Sequence, residues 1–213
     1  MPTLEVDTPH GPARAHVELA ETPNGALVLG HGAAGGVETR DLQAAKDVAL
    51  SEGISVALVE QPYRVAGRRS PAPPKQLDAA WIAVVEHLRI GDLRDLPLVA
   101  GGRSLGARVA CRTVEATGAV AVLCLAFPFR PPARRGTAPK PSRLAELEDV
   151  AVPTLVVQGQ SDPFGIPPAA KNRTVVTVAG DHGLKRDPEA VAAAVRAWLP
   201  EVVVLEGASR VRR

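Results

Sequence analysis

LPLVAGGRSLGARVACRTVEA, residues Leu96–Ala116, passes from an apolar run to a helical pattern through a single serine. The run LPLVAGG is short, continuous and apolar, as a strand buried on both faces must be. From Leu105 the apolar positions recur at helical spacing. Between the two stands Gly102-Arg103-Ser104-Leu105-Gly106, a Gly-x-Ser-x-Gly pattern. In a sharp strand-to-helix turn the serine takes a strained backbone conformation, and small neighbours let strand and helix approach. The turn lifts the hydroxyl above the sheet edge and aims the free N–H groups of the helix start at any developing anion. A serine here could equally be a helix N-cap in a glycine-rich turn. Five residues alone do not separate the two readings.

Working outward, runs of the same buried type recur along the chain. They are ALVLG (Ala26–Gly30), ISVALVE (Ile54–Glu60), VAVLCLAF (Val120–Phe127), TLVVQG (Thr154–Gly159) and TVVTVAG (Thr174–Gly180). Helical patterns lie between them: Thr39–Ser51, Gln76–Leu88, and Asp187–Leu199 with Asp187 as N-cap and Pro188 at the first position, closing before Pro200. Leu4–Asp7 and Ala15–Leu19 alternate and read as an opening antiparallel pair. Strand–helix–strand alternation predicts an α/β fold: about eight strands in a mostly parallel sheet, helices on both faces and no large cap. One domain spans residues 1–213, with a tail from Val202 that adds a short strand or frays. Two connections, Pro62–Lys75 and Phe127–Arg143, are too Pro-rich for regular structure.

Composition removes several function classes. Apolar residues are 46% and charged residues 23% of 213, so the chain folds. Aromatics are 3%, too few for base- or sugar-stacking platforms. A net charge of +2 argues against a general nucleic-acid or membrane binder. The longest wholly apolar stretch, Ala119–Phe127, is half of a bilayer span, and no signal pattern opens the chain. Cys111 and Cys124 fall in apolar runs and read as free core thiols. The expectation is a soluble cytoplasmic protein, monomer or homodimer, with no cofactor and no metal, since no His/Cys cluster has ligand spacing.

A serine hydroxyl needs a base. His182 follows the last strand in Gly180-Asp181-His182-Gly183, at the sheet edge where Ser104 stands. His10, His16 and His87 read as structural or solvated. The imidazole needs a third group to hold its tautomer. Asp162 follows TLVVQG and suits the role; Asp181 is the rival, but an immediate neighbour rarely turns its carboxylate onto the adjacent ring. The order Ser104…Asp162…His182 is one of three found among serine hydrolases. After ALVLG the chain reads His31-Gly32-Ala33-Ala34-Gly35-Gly36. This loop can offer an oxyanion N–H from Ala33, or from Ala34, with Leu105 as the second donor. His31 is read as ordering the loop through its ring, and the run lacks the Gly-x-Gly-x-x-Gly spacing of a dinucleotide site.

From Val17 to Leu199 the chain resembles the α/β-hydrolase superfamily. Within it the sequence is similar to the small, lid-poor, dienelactone-hydrolase-like branch. The nearest likeness is to a group whose eukaryotic members include a testis-expressed protein and a subunit of a nuclear histone-acetyltransferase complex. HGAAGG (His31–Gly36), QPYRVAGRR (Gln61–Arg69), GGRSLGAR (Gly101–Arg108), VPTLVVQGQSDPFG (Val152–Gly165) and GDHGLK (Gly180–Lys185) carry the resemblance. It implies Ser104, Asp162 and His182 as a triad, with Ala33 and Leu105 as the oxyanion hole. The run FPFRPP after the Val120 strand departs from the group's usual Tyr-Pro-Leu-His type.

The two Pro-rich connections carry +4 and +5 with no acid, which leaves −7 for the rest of the chain. Arg64, Arg103 and Arg130 are the candidate substrate-binding residues among the arginines near the site. Either this rim steers a small anionic ester or thioester, or the arginines are a solvated face and ties to backbone carbonyls. The function expected is a serine hydrolase of small acyl substrates working through an acyl-enzyme. The competing reading is a non-catalytic binding or scaffold protein on the same fold.

Overall fold

The computed structural model describes residues 2–131 and 140–210, with side chains to residue 204. Eight strands form one sheet: β1 (Thr3–Val6), β2 (Ala13–Glu18), β3 (Gly25–Gly30), β4 (Ile54–Glu60), β5 (Leu98–Arg103), β6 (Ala121–Leu125), β7 (Thr154–Gly159) and β8 (Arg173–Val178). Their spatial order is β1-β2-β4-β3-β5-β6-β7-β8. The first two strands pair antiparallel, and β2 joins β4 antiparallel. From β4 to β8 every pairing is parallel. The expected α/β architecture is therefore the observed one.

The continuous apolar runs have a simple cause. A central parallel strand buries both faces, so its odd and even side chains both need apolar neighbours. Ala26 and Val28 of β3 join one core with Val122 and Cys124 of β6, against helices α3 (Pro74–Ile90) and α4 (Leu105–Thr117). Leu27 and Leu29 join the other with Leu123 and Leu125, against α1 (Arg40–Ser51) and α6 (Pro188–Arg210). Cys111 and Cys124 are buried free thiols 3.6 Å apart between α4 and β6. Among the described residues no helix is long and apolar enough to cross a membrane.

Two local expectations need correction. The last helix does not stop before Pro200; it runs to Arg210, and no strand starts at Val202. A proline inside a helix costs ~3 kcal/mol. Continuing the helix buries Val202 and Val203, which are 6% and 3% exposed, and a fully buried Val contributes about 1.5–3 kcal/mol. The two valines thus offset the broken bond. The segment Pro62–Lys75 is not irregular throughout. It opens with a one-turn helix, α2 (Pro62–Val65), and α3 begins at Pro74. Both put a proline at the first helical turn, where its missing N–H has no partner to lose. Helix α5 (Leu144–Glu148) follows the second Pro-rich connection, with Leu147 buried. Arg134 and Arg135 of that connection lie outside the described residues.

Candidate active site

Parallel order brings the ends of β3, β5, β7 and β8 to one sheet edge, and the site is built on the turns that follow them. Ser104 is held in the turn between β5 and α4 at φ 51°, ψ −101°, a region that L residues rarely adopt. Its N–H donates to Leu125 O at 2.9 Å, tying the turn to β6. The flanking glycines are required by close approach. A Cβ on Gly102 or Gly106 would collide with the backbone of Gly30 on β3. The serine makes no side-chain cap to α4, so the N-cap reading fails.

The hydroxyl instead meets His182. Ser104 Oγ and His182 Nε2 are 2.9 Å apart, and His182 Nδ1 stands 2.8 Å from Asp162 Oδ2. A carboxylate only accepts, so Nδ1 carries the proton and Nε2 presents its lone pair to the hydroxyl. Asp162 is oriented by its own partners. Phe164 N–H donates to Oδ1 at 2.8 Å and Gln158 Nε2 donates to Oδ2 at 2.7 Å. The Asp162 side chain is fully buried, while the imidazole is 19% exposed. Phe164 also lies against the His182 ring, centroids 4.4 Å apart. The rival Asp181 accepts from Gly183 N–H at 2.8 Å, and the two ring nitrogens of His182 face Asp162 and Ser104 instead.

The loop bearing His182 is fastened to the loop bearing Asp162. Ser161 donates to Gly180 O through both its N–H and its hydroxyl, each at 2.9 Å. Gly159 ends β7 because the carbonyls of Gly180 and Asp181 occupy the space a side chain would need. Leu184, fully buried, anchors the far side.

The His31–Gly36 loop borders the elbow; a Cβ on Gly32 would lie 3.7 Å from Ser104 Cβ. His31 orders this loop as its position suggested. Its Nε2 accepts from Gln61 N–H at 3.1 Å, so Nδ1 bears the proton and donates to Gly32 O at 2.8 Å. Burial pushes the His31 pKa down from 6.5, consistent with a neutral ring. Tyr63 donates its hydroxyl to Ala33 O at 3.1 Å, and burial pushes its pKa up to about 12. The N–H of Leu105 opens α4, where no intrahelical acceptor exists for it.

The candidate arginines separate. Arg103 is turned into protein: its Nε stands 2.9 Å from Asp41 Oδ2 and its Nη2 donates to His182 O at 2.9 Å. Its position offers little free charge to a substrate. Arg130 is exposed, its guanidinium 4.8 Å over the Phe129 ring. Arg64 is half-buried on α2, its Nε enclosed without a hydrogen-bond partner, and its charge reaches His31 and Tyr63. Arg143 donates to Pro128 O at 2.7 Å, a tie to a backbone carbonyl. Of the other histidines, His16 sits between Thr3 and Glu60 on the sheet and His87 is exposed on α3.

Sequence reasoning missed Gln158, Tyr63, Phe164 and Asp41. Two of these left a signal. Gln158 is the one amide in the apolar run TLVVQG, and Tyr63 is the chain's single tyrosine.

An eight-stranded sheet of this order, with a serine in a strained elbow after β5 and no large cap among the described residues, defines the α/β-hydrolase class. The model of the alpha/beta hydrolase domain family matches residues 23–194, and the chain belongs to that family. No curated protein sequence matches it. Its fold is similar to a lidless α/β serine hydrolase from Xanthomonas campestris, at 20% identity and TM-score 0.71, covering 92% of this chain and 94% of that one. Est1E from Butyrivibrio proteoclasticus is similar at 16% identity and TM-score 0.74, covering 95% and 99%. A dienelactone hydrolase from Anabaena variabilis is similar at 14% identity and TM-score 0.70, covering 95% and 96%.

Proposed function

We propose that the protein is a serine hydrolase that cleaves small ester or thioester substrates through an acyl-enzyme. One observation carries this reading: the unbroken line Ser104 Oγ–His182 Nε2–His182 Nδ1–Asp162 Oδ2, with contacts of 2.9 and 2.8 Å. Ser104 attacks the acyl carbonyl as His182 Nε2 takes its proton. Asp162 keeps the ring in the tautomer that can do so and stabilises the imidazolium. The N–H groups of Ala33 and Leu105 receive the oxyanion; losing one such donor typically costs about 3 kcal/mol in the transition state. His182 then gives its proton to the leaving group, and water repeats the sequence on the acyl-enzyme.

The substrate is a small acyl compound carrying an anionic group, with Arg64 as the recognition residue and Arg130 at the rim. Arg64 follows Tyr63, whose hydroxyl holds the Ala33 carbonyl, and its charge reaches His31 at the base of the same loop; this supports the reading. The enzyme uses no cofactor and works in the cytoplasm as a monomer or homodimer. Motif likeness to the group with the testis-expressed and histone-acetyltransferase members belongs to the same reading and supplies no substrate.

The test is a fluorophosphonate probe followed by turnover on short esters and thioesters, neutral and anionic. Wild type should label and Ser104→Ala should not. Absence of labelling in folded wild type overturns the assignment and favours a binding protein. Equal rates on neutral and anionic esters, indifferent to salt, remove the anionic preference alone.

A further inference from the structure

Arg103 stands immediately before the nucleophile and touches three loops at once. Its Nε is 2.9 Å from Oδ2 of Asp41, at the start of α1, in an ion pair that is not aligned as a hydrogen bond. The Asp41 side chain is fully buried and that of Arg103 is 14% exposed. Nη2 donates to the His182 carbonyl at 2.9 Å. Nη1 fills the space beside Gly32, 2.8 Å from where a Cβ would stand. One planar guanidinium thus spans the elbow, the His31–Gly36 loop and the main chain of the base.

We propose that the Asp41–Arg103 pair is a positioning element that fixes the backbone at His182, and through it the imidazole over Ser104, without touching substrate. The inference rests on the serine-hydrolase reading above. Side-chain partners alone, Ser104 and Asp162, set the ring's rotation. They do not set where its Cα sits along the sheet edge. The Ser161 bonds to Gly180 tie this loop to that of Asp162, and the carbonyl bond from Arg103 ties it to the elbow, because Arg103 is itself the last residue of β5. Arginine suits the task, since its rigid fork presents several donors in one plane, whereas a lysine offers a compact point charge on a flexible stem. Asp41 holds the fork in place and neutralises it. An unpaired guanidinium at this spot would disfavour the imidazolium that forms when Ser104 attacks.

The experiment compares Arg103→Met, Arg103→Lys and the double variant Asp41→Leu/Arg103→Met with wild type. Arg103→Met leaves a buried carboxylate unpaired and should lower the melting temperature. The double variant removes both charges and should melt close to wild type. Its kcat on a short neutral ester should nevertheless fall about tenfold to a hundredfold, as expected for a base displaced by a fraction of an ångström. KM should stay within about twofold. Arg103→Lys keeps a cation beside Asp41 and guards against the double variant failing to fold; it too should lose kcat with KM unchanged. The proton NMR signal of the His182 ring N–H, sharp in wild type, should broaden in the double variant. That readout does not require turnover, so it tests the brace even if wild type proves inactive and the hydrolase reading fails. A double variant or Arg103→Lys with wild-type kcat and an unchanged ring signal overturns the proposal. So does a KM that rises with the negative charge of the ester, which would make Arg103 a substrate contact.

Discussion

Gly106→Ala is the sharpest test of the elbow's geometry. Gly106 lies in the first turn of α4 with its backbone against β3, and a Cβ there would meet the carbonyl oxygen of Gly30, its carbonyl carbon at 2.5 Å and its Cα at 3.0 Å. Comfortable carbon–carbon contact is about 3.5–4.0 Å. The obstacle is backbone in the middle of the sheet, so no side chain can swing aside. α4 must withdraw from β3 by about 1 Å. Overpacking of this kind typically costs 1–3 kcal/mol, and an immovable partner puts it near ~3. In a chain of this size that lowers the melting temperature by roughly 6–12 °C. Ser104 rides on the same turn, and a shift of about 1 Å relative to His182 costs on the order of a hundredfold in rate. Gly36→Ala is the matched control. Gly36 belongs to a similar glycine-rich loop, yet nothing lies within 4 Å of its Cβ position and its φ is not positive. It should melt within about 2 °C of wild type, the effect of an ordinary surface change. Scanning calorimetry and fluorophosphonate labelling rates read both variants. Should Gly106→Ala melt and label like wild type, or Gly36→Ala prove as harmful, the close-approach argument is wrong.

Three further outcomes follow from other contacts. Ser104→Gly and Ser104→Ala both lose the hydroxyl, but only glycine relaxes at φ 51°; Ser104→Gly should be the more stable by about 1 kcal/mol, and equal denaturation midpoints would mean the elbow stores no strain. Because burial lowers the His31 pKa, the unfolded chain binds a proton there more readily than the folded one. Stability from this group is therefore complete above pH 6.5 and declines as pH falls from there towards the folded value. The slope reaches at most about 1.4 kcal/mol per pH unit, and His31→Asn should flatten it; superimposable stability–pH curves would exclude His31 as the cause. Gln158→Leu removes the amide that donates to Asp162, Phe127 O and Gly165 O. It should cost about 1–3 kcal/mol and lower kcat more than it raises KM. Gln158→Glu, which sets a second carboxylate against Asp162, should be harsher still, and a milder Glu variant would contradict the assigned donor.

Most of the sheet was legible because a parallel strand covered on both faces must be apolar at every position. ALVLG and VAVLCLAF state that without ambiguity, and alternation in the opening segments marked the antiparallel pair. What escaped was structure decided by tertiary packing against local rules. Pro200 is a proper stop signal, and only the docking of Val203 on Gly25 of β3 shows why the helix ignores it. Prolines at 62 and 74 looked like breakers because a helix start and an irregular loop use the same residue.

The site divides along the same line. Ser104, Asp162 and His182 could be picked out because each follows a strand, and strand order fixes which turns share an edge. Residues that hold those three in place follow no such rule. Asp41 is one acid in a helix of mixed charge, and nothing near it in sequence says that it faces Arg103 across the sheet edge. Counting arginines along the Pro-rich loops and beside Ser104 offered candidates but could not say which were free. Arg143 is spent on a carbonyl and Arg103 on a carboxylate and a carbonyl, whereas among the described residues no side-chain hydrogen bond or ion pair holds Arg64. A cation's value to a substrate depends on what else it has already bound. By that measure Arg64→Gln should raise KM for anionic esters and leave neutral ones unchanged, and Arg143→Gln should alter neither. Kinetics on paired esters of equal length decide the matter: a KM effect of equal size on both ester types would make Arg64 another structural tie.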